Sequence, residues 1–131
     1  MKTLVVEDNI TNRLLLVELL TPYGNVTAVE SGSAALLAVT SALSNHQPFD
    51  LICLDILLEG MDGQQILKEI RRLEEASGYP IGNGSKIVMT TALRDKNNIL
   101  AAFRAACDGY LPKPIDRKRL EDQLRELSLI R

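Results

Sequence analysis

The stretch that decides the fold is Phe49-Asp50-Leu51-Ile52-Cys53-Leu54-Asp55, in which an apolar run leads directly into a carboxylate. Short aliphatic runs bounded by turn residues are typical of a strand that is buried on both faces. A charge inside such a strand is costly unless it is paired or ligated, whereas a charge at its carboxyl end can face a crevice. We therefore treat Asp55 as the candidate reacting group and ask what the rest of the chain supplies around it.

Strand and helix patterns alternate five times along the chain. Predicted strands cover residues 3–6, 25–30, 49–55, 86–91 and 110–111, and predicted helices begin near residues 9, 31, 62, 95 and 116. In the first helix Asn9 is the predicted N-cap, and Ile10, Leu14 and Val17 recur at helical spacing. Such alternation without hairpin signals favours a parallel sheet with helices on both faces. The predicted fold class is α/β, with one domain over residues 1–131 and no separate output domain.

Composition excludes several classes of function. The net charge is −2 with both signs interspersed, which leaves no electrostatic footprint for nucleic acid. No apolar run approaches the length of a membrane span, and the first strand follows Met1-Lys2 so closely that no signal peptide fits. The two cysteines, Cys53 and Cys107, are typical of unpaired thiols in a reducing compartment. We expect a cytoplasmic protein that binds neither nucleic acid nor a membrane.

Polar residues stand at the carboxyl ends of four predicted strands. They are Glu7 and Asp8 after the first strand, Asp55 after the third, Thr90 and Thr91 after the fourth, and Lys113 after the fifth. Each has an ordinary structural explanation of its own; acids after a strand, for example, favour the N-terminus of the following helix. Because ligands of open α/β sheets bind at the carboxyl ends of the strands, their joint occurrence favours a site.

Three gathered carboxylates predict a bound cation. Two like charges about 4 Å apart repel by roughly 4 kcal/mol at an effective dielectric constant near 20, and Lys113 alone cannot offset three acids. Mg²⁺ prefers oxygen ligands, accepts one or two carboxylates and keeps waters that a phosphate oxygen can displace. An ionised aspartate is a nucleophile without the help of a general base. With Lys113 and a hydroxyl group nearby, these residues predict a site that receives a phosphoryl group.

The motifs resemble the receiver domain of response regulators in two-component signalling, in its single-domain, CheY-like form. The resemblance runs from Leu4 to about Leu127. It is carried by Val5-Val6-Glu7-Asp8-Asn9, Leu54-Asp55 with Met61-Asp62-Gly63, Met89-Thr90-Thr91-Ala92 and Gly109-Tyr110-Leu111-Pro112-Lys113-Pro114. It implies a doubly wound, flavodoxin-like sheet of five parallel strands in the order 2-1-3-4-5.

The resemblance also assigns roles at the acidic site. Asp55 becomes the phosphoacceptor, supplied by a histidine kinase or a histidine phosphotransfer protein. Asp8 and Asp55 would bind Mg²⁺ directly, Glu7 mainly through water, and the backbone carbonyl of Leu57 would add a further oxygen. Lys113 would pair with the phosphoryl oxygens, and its peptide bond to proline would be cis.

A switch and an output surface follow from the same resemblance. Thr91 would supply the switch hydroxyl, although strand alternation alone does not choose between it and Thr90. Thr91 and Tyr110 would carry the change to a surface formed by the fourth helix, the fifth strand and the fifth helix, with Ala101 and Ala105 among its residues. A downstream target protein would dock there, or two receiver domains would form a homodimer. Such a protein is a signalling switch, not a turnover enzyme.

Three features depart from the family pattern. Leu58-Glu59 replaces the usual Met-Pro, so the turn is expected to depend on Gly60. Leu57 and Leu93 are apolar at positions that flank the path of the hydrolytic water, which predicts a long-lived phosphorylated state. Pro112 lies inside the fifth strand, where it fits only an edge strand with its ring nitrogen turned away from the fourth strand.

Three other functions fit the residues less well. A receiver-like interaction module that acts without phosphorylation would be favoured by loss of an acid, the threonine or the lysine, and none is missing. A magnesium-dependent phosphatase of the haloacid dehalogenase type needs a second aspartate where this chain has Leu57. A nucleotide-binding domain needs a glycine-rich phosphate loop after the first strand, and none follows it.

Overall fold

The computed structural model describes residues 1–58, 61–80, 82–92 and 107–131. Its main strands are β1 (Lys2–Val6), β2 (Asn25–Val29), β3 (Leu51–Asp55), β4 (Lys86–Thr91) and β5 (Gly109–Pro112). The helices are α1 (Ile10–Leu20), α2 (Gly32–Ser44), α3 (Gly63–Ala76) and a C-terminal helix (Arg117–Glu126), with a 3₁₀ turn at Thr21–Tyr23. The predicted fourth helix with Ala101 and Ala105 lies outside the described residues, as do Gly60 and Leu93.

The five strands form one parallel sheet in the order β2-β1-β3-β4-β5. This confirms the predicted α/β class and the doubly wound strand order. Every residue of the central strand β3 is buried, because α2 and α3 cover one face of the sheet while α1 and the C-terminal helix cover the other. The acceptor candidate Asp55 therefore ends a strand that is fixed on all sides.

The four described helices begin where the sequence predicts. Their N-cap residues are Asn9, Ser31, Asp62 and Asp116, and each side chain accepts a hydrogen bond from a backbone N–H of the first helical turn. A side-chain oxygen at this position satisfies one of the N–H groups that a helix leaves unpaired. Asp62 thus starts α3 a few residues after Asp55, which places the beginning of the helix close to the carboxyl end of β3.

The exposed side of α1 differs from what the spacing of its apolar residues indicates. Ile10 and Leu14 are 61% and 60% exposed, and the core instead receives Leu16, Leu19 and Leu20. Apolar residues occur on most sides of this helix, so that helical spacing does not identify the buried face. The stripe of Ile10 and Leu14 faces solvent next to the acidic end of β1.

Gly63 has a steric role at the start of α3. A Cβ atom built there would lie 2.4 Å from the carbonyl oxygen of Asp55 and 2.7 Å from the Cα of Ile56. The Gly63 N–H also donates to the carbonyl of Ile56 at 2.9 Å. Only glycine allows helix and strand to approach this closely, which explains the Asp62-Gly63 pair. Leu57–Leu58 pairs with Met61–Asp62 as a short antiparallel ladder between them.

Pro112 fits β5 because β5 is an edge strand. The N–H of Lys113 donates to the carbonyl of Thr91 at 2.8 Å, so that alternation along the strand turns the ring nitrogen of Pro112 away from β4. The Lys113–Pro114 peptide bond is cis. Both expectations for this segment are confirmed.

A network of ion pairs around the buried Glu74 links elements at the opposite end of the sheet. Glu74 is 2% exposed, and its carboxylate accepts from Arg71 at 2.8 Å and from the N–H of Ser85 at 2.6 Å. Arg71 also donates to the carbonyl of Ser85 at 2.8 Å and to Asp108 at 2.9 Å. Asp108 in turn accepts from the N–H of Ile87 at 2.8 Å. The entries to β4 and β5 are thus both attached to α3.

Candidate functional site

Residues far apart in sequence meet at the carboxyl edge of the sheet. The Lys113 ammonium, from the end of β5, lies 2.6 Å from Glu7 Oε1 and 3.0 Å from Asp55 Oδ2. Glu7 is fully buried and Asp55 is 4% exposed. One cation is thus held between two buried carboxylates, as the positions of the strand ends indicate.

Asp8 completes a group of three acids. One carboxylate oxygen each from Glu7, Asp8 and Asp55 can be chosen so that all three lie within 4.8 Å of one another. Asp8 is exposed, whereas the other two are buried, so the cluster opens to solvent on the side of Asp8. An all-oxygen donor set with excess negative charge and an open side fits a hard divalent cation such as Mg²⁺.

Burial and charge act in opposite directions on these groups. Burial raises the pKa of Glu7 more than its contact with Lys113 lowers it, and the neighbouring Asp55 raises it further. For Lys113, burial lowers the pKa, but the two carboxylates together outweigh burial and the pKa is raised. The lysine therefore stays charged at neutral pH. One lysine thus contacts two members of a group of three acids, whose oxygen donors would also accommodate a divalent cation.

Backbone groups hold the two buried carboxylates in place. The N–H of Leu57 donates to Asp55 Oδ1 at 3.1 Å, and the N–H of Asn9 donates to Glu7 Oε2 at 3.2 Å. Arg13 donates to the carbonyl of Glu7 at 3.0 Å. The hydrogen bond from the Asn9 N–H to Glu7 was not predicted from the sequence, although an N-cap residue directly after two acids indicates such a bond. Leu57 lies beside the cluster, and its role as a carbonyl ligand stays a prediction.

The two threonines at the end of β4 occupy different positions relative to Asp55. Thr90 is the register partner of Asp55, and Thr91 lies one residue nearer the edge, with its carbonyl bound by the N–H of Lys113. Both side chains are buried. The choice of Thr91 as the switch hydroxyl stays a prediction.

The described part of the predicted output surface is open to solvent. Tyr110 is 41% exposed on the edge strand. It lines a pocket of about 240 Å³ between β5 and the C-terminal helix, together with Pro112, Arg119 and Gln123. The role of Tyr110 as a switch stays a prediction.

Comparison with known proteins identifies the family. The family model described as the response regulator receiver domain matches residues 3–125. The chain belongs to this family. A curated relative, the sensor histidine kinase GacS of Pseudomonas protegens, is 39% identical to this receiver domain over 121 residues, which cover 91% of this chain and 12% of that kinase. The chain thus spans only a small part of the length of this relative.

Solved structures agree with this assignment. A CheY-like receiver domain from Methylobacillus flagellatus superposes with a TM-score of 0.76 at 28% identity, covering 95% of this chain and 96% of that one. The receiver domain of the histidine kinase CKI1 from Arabidopsis thaliana, described as complexed with Mg²⁺, gives a TM-score of 0.83 at 27% identity, covering 96% and 90%. The fold and the strand order of the receiver domain are therefore established for this chain.

None of the helices within the described residues combines the length needed to cross a bilayer with a sufficiently apolar composition. Cys53 and Cys107 form no disulfide within the described part of the chain, and burial raises the pKa of each thiol to about 12. Neither thiol is activated for chemistry.

Proposed function

We propose that this receiver domain is the phosphoacceptor switch of a two-component phosphorelay, with Asp55 as the acceptor. The observation that carries the proposal is the convergence of Glu7, Asp8 and Asp55 within 4.8 Å, with Lys113 held 3.0 Å from Asp55. Separate strand ends supply these groups, and like charges this close together repel one another unless a cation compensates them.

The proposed reaction is a transfer between two side chains. A carboxylate oxygen of Asp55 attacks the phosphorus atom of a phosphohistidine on a histidine kinase or phosphotransfer protein. The O–P bond forms as the N–P bond breaks, and the imidazole leaves with its electron pair. Because the carboxylate is already ionised, no general base is needed.

The residues around Asp55 would stabilise the charge that moves with the phosphoryl group. Lys113 supplies a fixed positive charge, and the N–H of Leu57 holds one carboxylate oxygen so that the other is presented to the donor. Asp8 and Asp55 would hold Mg²⁺ directly, Glu7 through water, and the Leu57 carbonyl would complete the protein ligands. The ion, when bound, neutralises the phosphoryl oxygens in transfer.

The phosphorylated state would act as a signal instead of turning over a substrate. The added charge of roughly −1.5 to −2 would draw Thr91 towards the site, and Tyr110 would follow inward. The change would alter the surface that includes β5 and the C-terminal helix, where a downstream target protein or a second receiver domain would bind.

Acetyl phosphate tests the proposal without knowledge of the partner kinase. With Mg²⁺, the wild-type protein should gain a covalent phosphoryl group that is stable in acid and lost in base, detected by intact-mass spectrometry. Asp55→Asn should abolish the adduct. Asp50→Asn, at the other end of the same strand, is the matched control and should leave it unchanged. Absence of the adduct from the wild type, or its persistence in Asp55→Asn, contradicts the proposal.

A further inference from the structure

One row of side chains ends the sheet on the face covered by α1 and the C-terminal helix. Val5, Cys53 and Val88 are register partners across β1, β3 and β4, and all three belong to the core on that face. Residues two positions further along parallel strands point to the same face. The next row therefore consists of Glu7, Asp55 and Thr90.

Thr90 is the member of this row that the proposed chemistry does not use. Its side chain is 1% exposed, and its hydroxyl oxygen has no hydrogen-bond partner among the described residues. Valine has the same shape as threonine but no hydroxyl. A position where the hydroxyl had no role could therefore equally hold valine. A buried hydroxyl that is left unsatisfied lowers stability, so its presence beside Asp55 requires an explanation.

A second polar atom of the same row is incompletely satisfied. Glu7 Oε1 lies 2.6 Å from the Lys113 ammonium, which contacts it as a charge, and this oxygen lacks a hydrogen bond of good geometry. Asp55 lies between Glu7 and Thr90 in the row and uses its two oxygens for Leu57 and Lys113. A carboxylate oxygen has two lone pairs, so each acid can accept one bond more.

We propose that Thr90 is a positioning residue of the acidic site, and that its hydroxyl binds one ordered water molecule that donates hydrogen bonds to the carboxylates of Asp55 and Glu7. Buried waters in proteins typically make about three hydrogen bonds to polar groups that otherwise lack partners. The water would lie on the side of the two carboxylates that faces away from solvent, and it would orient both of them. The hydrogen bonds of this water do not depend on the proposed function. The proposed function matters only for the cation that the two carboxylates would bind.

The consequence concerns affinity for the cation. Groups that orient metal ligands without touching the metal typically contribute 10–100-fold to metal affinity. We expect Thr90→Val to weaken Mg²⁺ binding by about tenfold, at the lower end of that range. Thr90→Ser keeps the hydroxyl and removes only a methyl group, so its Mg²⁺ affinity should stay close to that of the wild type.

Two measurements test the proposal. A high-resolution crystal structure of the metal-free wild type should show a water within hydrogen-bonding distance of Thr90 Oγ1 and a carboxylate oxygen, and Thr90→Val should lack it. A hydroxyl that donates to a backbone carbonyl instead, or that has no water, overturns the proposal. This result stands whether or not the protein takes a phosphoryl group, so it separates failure here from failure of the proposed function.

Mg²⁺ titration followed by NMR, with urea unfolding in the absence of metal, gives the second measurement. Weaker Mg²⁺ binding by Thr90→Val, with normal binding by Thr90→Ser, supports the proposal. Equal Mg²⁺ affinity of Thr90→Val and wild type, together with a higher urea midpoint for the variant, overturns it. That outcome would show that the hydroxyl is only an unsatisfied group in the core.

Discussion

At the scale of single residues, Glu7 has the least favourable environment for its charge. It is fully buried beside another acid, and burial raises its pKa above the ordinary value of 4.5. A group whose pKa is raised in the folded state binds protons more tightly there than in the unfolded chain. Its contribution to stability is therefore largest below about pH 4.5 and is lost as the pH rises through the folded-state pKa.

We predict that Glu7→Gln removes this dependence. Without divalent cations, the free energy of unfolding of the wild type relative to Glu7→Gln should fall as the pH rises from about 4 to about 8. Urea unfolding at several pH values measures it. Glu69→Gln is a control of opposite sign, because the hydrogen bond from Arg72 lowers the pKa of Glu69. Equal slopes for the wild type and Glu7→Gln would contradict the prediction.

If Asp55 takes a phosphoryl group as proposed, single residues beside it should set how long the phosphorylated state lasts. Leu57 is 60% exposed beside Asp55, and its side chain has no group that can orient an attacking water. We predict that the aspartyl phosphate of the wild type decays slowly and that Leu57→Asn accelerates its loss. Decay of the adduct after removal of acetyl phosphate measures the rate, and Leu93→Glu extends the test to the second apolar position.

Leu57→Ile is the matched control, since it changes shape but supplies no polar group. Its rate of phosphate loss should equal that of the wild type. Unchanged decay in both Leu57→Asn and Leu93→Glu would show that these positions do not control hydrolysis.

At the scale of elements, local sequence signals were sufficient to predict where the helices begin, but they did not predict which face of a helix is buried. Asn9, Ser31, Asp62 and Asp116 were found because a cap depends only on the following turn. The buried face of α1 was not found, because apolar residues occur on most sides of this helix and the buried face depends on which side meets the sheet. The burial of Glu74 was also missed, because Ser85, whose backbone N–H donates to the Glu74 carboxylate, is eleven positions away in the sequence.

The exposed face of α1 gives a prediction at this scale. Leu14→Ala should change the free energy of unfolding by less than about 0.5 kcal/mol, because Leu14 is largely exposed. Leu16→Ala, two residues away and fully buried, should cost about 3 kcal/mol through lost burial and the cavity it leaves. Urea unfolding of the two variants measures the difference. Similar costs would show that Leu14 also packs in the core.

At the scale of the whole molecule, the site depends on long-range register. Glu7, Asp55 and Lys113 could be matched to strand ends from the sequence, because parallel strands place their carboxyl ends on one edge. The distances between them, and the position of Thr90 opposite Asp55, depend on how β1, β3, β4 and β5 align. No short stretch of sequence contains that information.

Mg²⁺ that binds the folded state and not the unfolded chain should stabilise the whole domain. At a free Mg²⁺ concentration of about 100 times Kd, the stabilisation is about 2.7 kcal/mol, which corresponds to a rise in Tm of roughly 10 °C. Thermal unfolding followed by circular dichroism measures it. Asp8→Asn should lose most of the rise, whereas Asp50→Asn should keep it. A Mg²⁺ response that is the same in Asp8→Asn and wild type would place the ion elsewhere.

The network of Arg71, Glu74 and Asp108 limits how the domain can move. It fastens the first residues of β4 and the residue before β5 to α3, at the end of the sheet remote from Asp55. On the proposed phosphorylation, strands attached at this end would be displaced least there and most at their carboxyl ends, next to Asp55. Arg71 would thus act as a pivot, and displacement should grow steadily along both strands from Ile87 to Thr91 and from Gly109 to Lys113.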